Sequence, residues 1–224
     1  GVTQHTDTYT VSGKVVTFSV APPLNGDIQV RYNAYLGDAL VSDFTETIAT
    51  MKALSPAVNS SINVLGYYAR GDGGGGTFYW DATSTATDNG GTIIQATGVT
   101  TGRWKRVYSG AVNVKWFGAK GDGVVDDTVA IQTTIDNHTN IFIPEGTFLI
   151  NRNTTADINY GLKIDKSDRV ITGVSANTYL KRYDSDISTY DKAYPIMYIA
   201  DTDLVNMQNV SDVTIRNIRF IGNN

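Results

Sequence analysis

The sequence predicts a mainly β protein of three units, the last of which is a β-solenoid. A turn-rich composition, short apolar–polar alternations and a self-match in the C-terminal third carry that expectation. Of 224 residues, 41% are hydrophobic, 18% are charged and 22 are glycine. The charged share is below the usual quarter, and Thr, Asn, Ser and Gly make up the difference, as in chains of many short strands. Glu46 and Glu145 are the only glutamates; the abundant aspartates suit turns and caps better than helix interiors. In the self-match, Ser167-Asp168-Arg169-Val170-Ile171 is echoed by Ser211-Asp212-Val213-Thr214-Ile215, 44 residues on. That offset fits two solenoid coils if each takes about 22 residues and buries its apolar face against the next.

Charge and composition exclude several functions. The net charge is −4, and no lysine or arginine cluster offsets it, which disfavours nucleic-acid binding. No apolar run approaches the roughly 18 residues of a membrane span, and no signal peptide opens the chain. With no cysteine, disulfides and thiolate metal sites are ruled out, and robustness must come from packing or oligomerisation.

The first unit, residues 1–36, contains "YTVSGKVVTFSV" and "GDIQVRYNAY", read as two strands separated by the turn signal "APPLNG". It is too short to bury a core alone.

The second unit, residues 42–109, opens with a helix signal. Ser42 or Asp43 can cap it, Glu46 sits where a capping box wants it, and Ile48, Met51 and Leu54 recur on one face before Pro56 stops it. Strands follow at "SINVLGYY", "GTFYWDA", "GGTIIQAT" and "GRWKRVYSG". Trp80, Trp104, Tyr67, Tyr68, Phe78 and Tyr79 are expected to supply the core, with a sugar-stacking platform as the alternative. Within "RGDGGGGT", Gly71, Gly73 and Gly76 match G-x-G-x-x-G. A dinucleotide loop must lead into a helix, whereas Thr77-Phe78-Tyr79-Trp80 is strand material. The expected role is a hairpin turn needing positive φ.

The third unit, residues 111–224, carries a helix over "DTVAIQTTID", with Asp126 or Asp127 as cap and Ala130, Ile131 and Ile135 on the buried side. Strands are expected at "NIFIPEGTFLI", "YGLKID", "RVITGVS", "PIMYIA" and "DVTIRNIRFIGN".

The block "VKWFGAKGDGVVDDTVAIQTTID…NIFIPEGTFLI" resembles the opening of the pectate-lyase-like right-handed β-helix family. The preceding "VLGYYARGDGGGGTFYWDATSTATDNGGTII…TGRWKRVYSG" is similar to the small domain that leads into that block in bacteriophage tailspikes. "YTVSGKVVTFSVAPPLNGDIQVRY" is similar to the end of their particle-binding region. The resemblance implies a small N-terminal β unit, a small α+β linker domain and the helix-capped start of a right-handed parallel β-helix, assembled as a homotrimer. It implies a place in the virion tail, attachment through the N-terminus to a phage tail or baseplate protein, and a bacterial surface polysaccharide as ligand. Gly121 and Gly123 would permit a tight turn, and Asp126–Asp127 would start the helix that plugs the solenoid.

Glycan hydrolysis needs two carboxylates about 5–10 Å apart, and no residue earns a catalytic assignment. Asp122, Asp126 and Asp127 are close in sequence but lack EF-hand spacing; no metal and no cofactor is assigned. Asp165 and Asp168 fit solvated turns between strands. Asp184, Asp186 and Asp191 lie in the irregular "KRYDSDISTYDK", expected as an excursion from the solenoid. His5 and His138 stand alone, His138 in the loop after the helix. The chain stops at "RFIGNN", on a strand pattern with no plug, as expected of the N-terminal portion of something longer, itself with little or no catalytic site. The leading expectation is thus the N-terminal part of a capsule-depolymerising tailspike. The alternatives are a non-enzymatic receptor-binding fibre and a secreted polysaccharide lyase or hydrolase.

Overall fold

The computed structural model describes residues 9–12, 15–18, 44–56, 61–152, 160–174, 177–183, 194–199 and 210–222, the first two stretches as backbone alone. The chain divides into two compact units, Gly1–Leu40 and Val41–Asn224. In the first, β1 (Tyr9–Ser12) and β2 (Val15–Phe18) pair antiparallel, with Tyr9 beside Phe18. The stretch expected as one strand is therefore two strands paired with each other. "GDIQVRYNAY", His5, Ser42 and Asp43 lie outside the described residues.

In the second unit, β3 (Phe44–Thr47), β4 (Ser61–Gly66), β5 (Gly76–Asp81), β6 (Ile93–Ile94) and β7 (Arg103–Arg106) form one sheet ordered β3-β4-β5-β7-β6. β3 runs parallel to β4 and the other pairs are antiparallel. The short helix α1 (Ile48–Lys52) connects β3 to β4. Its cap is Thr47, whose hydroxyl accepts from the Thr50 amide while the Thr50 hydroxyl accepts from the Thr47 amide. Glu46 does not form the box; it belongs to β3. The chain stays extended through residue 47 because β3 is held by β4, which moves the helix start four or five residues beyond the expected caps. Ile48 and Met51 are buried and Leu54 packs against them, the expected face.

Phe78 and Trp104 are wholly buried at the centre of this sheet, with Trp80 edge-on to Trp104 at 5.3 Å. Tyr67 packs on the rim. Tyr68 and Tyr79 are not core: they are 58% and 43% exposed. Successive strand residues face opposite sides, so Phe78 pointing in forces Tyr79 out, and Tyr68 lies past the end of β4.

From residue 112 the chain winds into a parallel β-helix of three sheets. The first stacks β8 (Val112–Asn113), β10 (Asn140–Ile143), β13 (Val170–Gly173) and β16 (Thr214–Arg216). The second stacks β9 (Asp122–Asp126), β11 (Gly146–Ile150), β14 (Thr178–Arg182) and β17 (Arg219–Ile221). The third pairs β12 (Leu162–Ile164) with β15 (Met197–Ile199). Each inward position stacks on its counterpart one coil away. Val112, Ile141, Ile171 and Ile215 make one column, and Phe148, Leu180 and Phe220 another. Ile141, Ile171, Phe148 and Leu180 are fully buried. Each coil removes its apolar row from water only by lying on the next.

The coils are longer than 22 residues. Asn140 lies beside Val170, Gly146 beside Thr178, Leu162 beside Met197 and Val170 beside Thr214, which puts strand partners 30 to 44 residues apart. The self-matching segments are neighbours: the Ser211 amide donates to Ser167 Oγ at 3.1 Å and the Asp168 amide to the Ser211 carbonyl at 3.1 Å. One coil, rather than two, separates them. Strands supply only two to five residues per face, and the corners between them need not repeat in length. Corners also split "NIFIPEGTFLI" and "DVTIRNIRFIGN" into two strands each, the second at Asn217, whose φ is 59°.

Helix α2 (Thr128–Asn137) plugs the first coil with Ile131, Thr134 and Ile135, all buried. Its Gln132 carboxamide donates to the Lys163 carbonyl at 2.9 Å and accepts from the Lys163 amide at 2.8 Å. β12 is an edge strand, and Gln132 gives it the backbone-like hydrogen bonds that an earlier coil would have supplied. Arg169, itself buried, donates to the Ile135 carbonyl at 3.1 Å in the last turn of the helix.

Candidate functional site

The glycine loop that joins β4 to β5 is a hairpin connection, as expected from the strand character of residues 77–80. Gly71, Gly73 and Gly76 have φ of 81°, 87° and 150°, a region that glycine enters at no steric cost. Asp72, which sequence reasoning passed over, organises the turn. Its carboxylate accepts from the amides of Tyr67, Tyr68, Ala69 and Gly74 at 2.7–3.0 Å. Burial alone would raise its pKa, but these four donors hold it below the usual carboxylate range. Four amides in and before the loop are thus already engaged by an internal anion.

Arg106 secures the other side of the loop. Nη2 donates to the Gly74 carbonyl at 2.9 Å, Nη1 to Gly75 at 2.6 Å and Nε to Gly91 at 3.1 Å. The guanidinium lies 4.5 Å from the Phe78 ring centroid and 4.8 Å from that of Trp116. Burial pushes its pKa down to about 10. The signal for it lay in "RWKR": Trp104 and Arg106 are two apart on a strand and share the core face.

This arginine reaches the β-helix. Trp116 belongs to a 3-10 helix, Val114–Phe117, next to the plug. Tyr108 meets Trp116 edge-on at 5.4 Å and His138 at 6.4 Å, while Phe117 meets His138 at 5.5 Å. His138 follows α2 as expected, and Nε2 lies 3.4 Å from Oγ1 of Thr92, just before β6. Burial pushes its pKa down. Lys120 lies 5.2 Å from the ring centroid of Tyr68. The linker domain and the plug are therefore locked by a guanidinium, an imidazole and four aromatic rings.

Of the two expected cap residues, one serves the helix start and the other does not. Asp126, not Asp127, serves the helix start by accepting from the Thr128 amide at 2.9 Å. Asp127 occupies the N-cap position without a side-chain cap bond. It is buried, and its carboxylate turns back to accept from the Lys120 and Gly121 amides at 2.6 and 3.1 Å. Desolvation outweighs these bonds and pushes its pKa up to about 6. Gly121 and Gly123 have φ of 65° and 74°, as the tight turn requires; a Cβ on Gly121 would stand 2.6 Å from the Phe148 ring. Asp122 accepts from the Val124 and Val125 amides at 2.9 Å, which holds its pKa low.

Asp165 pairs with Lys163 at 2.7 Å. Asp168 sits at φ 56° in the corner before β13. Asp184, Asp186 and Asp191 lie outside the described residues. Among the described residues, no group of three or more His, Asp or Glu side chains could hold a metal ion.

Residues 44–109 match the small four-stranded β-sheet domain of phage tail proteins, and residues 111–224 match the rhamnogalacturonase A/epimerase, pectate lyase-like family. The chain belongs to that pectate lyase-like family. It is 39% identical over 75 residues to the preneck appendage protein of Bacillus phage PZA, covering 33% of this chain and 8% of that protein. It is 35% identical over 95 residues to the Mu-like prophage FluMu defective tail fiber protein of Haemophilus influenzae, covering 41% of this chain and 15% of that protein. Tailspike protein 2 from Escherichia coli O157:H7 bacteriophage CAB120 shares its fold, with a TM-score of 0.54 and 21% identity over 84% of this chain and 20% of the other. The chain thus spans a small part of the length of each.

Proposed function

We propose that this chain acts in the tail of a phage virion, where it fixes a glycan-binding β-helix to the particle and holds it rigidly toward the host surface. The single observation that carries this reading is the lock between the linker sheet and the plug, built on Arg106, Trp116, Tyr108 and His138. A spike must transmit orientation from its anchor to its binding surface, and a buried arginine shared by both domains does so. The N-terminal unit is the candidate contact with a tail protein, and the ligand is a bacterial capsule or O-antigen polysaccharide. Incubation with a panel of capsulated bacteria should give retention of the chain on one capsule type; loss of retention after enzymatic removal of that capsule checks the ligand. Uniform absence of retention would defeat the reading.

A binding rather than a cutting role for these coils is favoured by four of the described aspartates. Asp122, Asp126 and Asp127 are occupied by backbone donors, and Asp165 by Lys163. Release of oligosaccharide from the retained capsule by this chain alone would contradict that.

Parallel β-helix spikes work as bundles, and we assign the chain to a homotrimer. Val124 in β9 and Val129 in α2 are 74% and 76% exposed and offer apolar surface to neighbouring chains. Sedimentation equilibrium at micromolar concentration is expected to return three times the chain mass of 24.3 kDa; a single-chain mass would refute the trimer.

A further inference from the structure

We propose that Asn89-Gly90 is a succinimide-forming modification site, kept shut while the joint between the linker sheet and the plug is closed. Opening the joint releases the pair to a one-way conversion into isoaspartate.

Asparagine followed by glycine is prone to cyclise, because glycine has no Cβ to shield its own amide nitrogen. The sequence holds two such pairs, Asn25-Gly26 and Asn89-Gly90. The second lies among the described residues, in the connection between β5 and β6. In the reaction the Gly90 nitrogen bonds to Cγ of Asn89 and the Cγ–Nδ2 bond breaks. The proton of the Gly90 amide leaves with the side-chain nitrogen as ammonia. Water then opens the ring. Attack at Cγ gives aspartate; attack at the main-chain carbonyl gives isoaspartate, whose backbone is longer by a methylene.

Each reacting group is held. The Gly90 amide donates to Asp88 Oδ1 at 2.8 Å, so removing its proton would set a nitrogen anion against a carboxylate. Asp88 is itself anchored by Lys52 at 3.1 Å and by the Gln95 amide at 3.0 Å. Asn89 Oδ1 accepts from the Gly91, Thr92 and Ile93 amides at 2.9–3.1 Å, and Nδ2 donates to Thr92 Oγ1 at 2.9 Å. Three donors polarise Cγ, which by itself favours attack. The ring closes only if the carboxamide turns, however, and turning costs these four bonds.

The hold is shared with the joint. The Gly91 carbonyl accepts from Arg106 Nε at 3.1 Å. A Cβ on Gly91 would stand 2.5 Å from the Phe117 ring, so the backbone there has no room to lengthen. Thr92 Oγ1, the partner of Asn89 Nδ2, lies 3.4 Å from His138 Nε2. Isoaspartate at 89 would displace Gly91 from both Arg106 and Phe117. A joint once opened and converted would not close as before.

The chain is aged at neutral pH, native and in urea, and residue 89 is followed by peptide mass and isoaspartate methyltransferase labelling. Conversion should be about a hundredfold or more slower in the native chain, because only the open fraction reacts. His138→Ala leaves every hydrogen bond of Asn89 in place, yet should speed native conversion about tenfold, as should Asp88→Ala. Wild type in urea below its unfolding midpoint should also convert faster, a measurement that needs no variant to fold. Chain aged in urea and returned to buffer should melt lower than Asn89→Asp treated alike, a variant that keeps the acceptor oxygen and cyclises slowly. Native conversion at the urea rate overturns the proposal, as does a native rate that neither the variants nor dilute urea changes. Full recovery of the melting temperature by the aged chain overturns the one-way step.

Discussion

Replacing Arg106 with alanine should lower the unfolding free energy of the region from residue 44 onward by about 3–5 kcal/mol. Its guanidinium donates to three carbonyls, of Gly74, Gly75 and Gly91, from a buried position. Charge-assisted hydrogen bonds contribute about 1.5–3 kcal/mol each, and carbonyls left buried without a donor carry a further penalty. Part of the loss is offset, because burying the cation is itself costly, as its lowered pKa records. Arg106→Lys should recover little, since a point charge cannot reach three separated carbonyls as the planar fork does. Guanidinium titration followed by tryptophan fluorescence checks this. A midpoint within experimental error of wild type in Arg106→Ala would show that the loop is held by Asp72 alone.

Asp127→Ala should cost about 2–3 kcal/mol near pH 5 and less near pH 7. The variant leaves the Lys120 and Gly121 amides without their acceptor, and an unsatisfied buried donor costs about 1–3 kcal/mol. The pH dependence follows from linkage. A carboxyl whose pKa rises to about 6 in the fold binds its proton more tightly folded than unfolded. Asp127 therefore adds stability as pH falls from about 6 toward the unfolded value near 4. His138 and the held aspartates act in the opposite sense. Burial lowers the His138 pKa, so its contribution is in place above about 6.5 and lost as pH falls. Asp72 and Asp122 are held low, so theirs is lost only below about 4. Denaturant midpoints of wild type and variant between pH 4.5 and about 7 share those other contributions. Their difference should widen toward the acid end; a constant difference would contradict a raised pKa at Asp127.

Much of the fold is legible because it is locally encoded. Strand alternation placed Phe78 and Trp104 inside, the glycines of residues 71–76 fixed a hairpin, and the apolar spacing of Ile131 and Ile135 fixed the plug face. What was missed depends on partners distant in sequence. The start of α1 moved because β4 holds residues 44–47 extended. β14 was overlooked because "TYLKR" shows Leu180 as its one apolar inward residue, beside the buried Thr178, and its strand character comes from the coils on either side. The coil length was misjudged because a repeat in sequence records which residues stack, not how far the corners wander.

The site was less legible for the same reason. Asp72, Arg106, Gln132 and Arg169 all act on backbone groups, and a polar side chain in a sequence does not declare that its partner will be a carbonyl or an amide. Asp126 and Asp127 are adjacent and chemically identical, yet one faces the helix and the other the preceding turn.

The sharing of Arg106 between the glycine loop, the Gly91 carbonyl and the Trp116 ring has a mechanical consequence. Gly110, at φ 77°, lies in sequence between the β3–β7 sheet and the β-helix and would by itself be a swivel. With the guanidinium set between them and His138 wedged beside Tyr108 and Phe117, torque applied to one domain loads the other through side chains before it loads that link. The joint works as a keyed shaft, and load on the sheet reaches the first coil without being spent in twisting the tether.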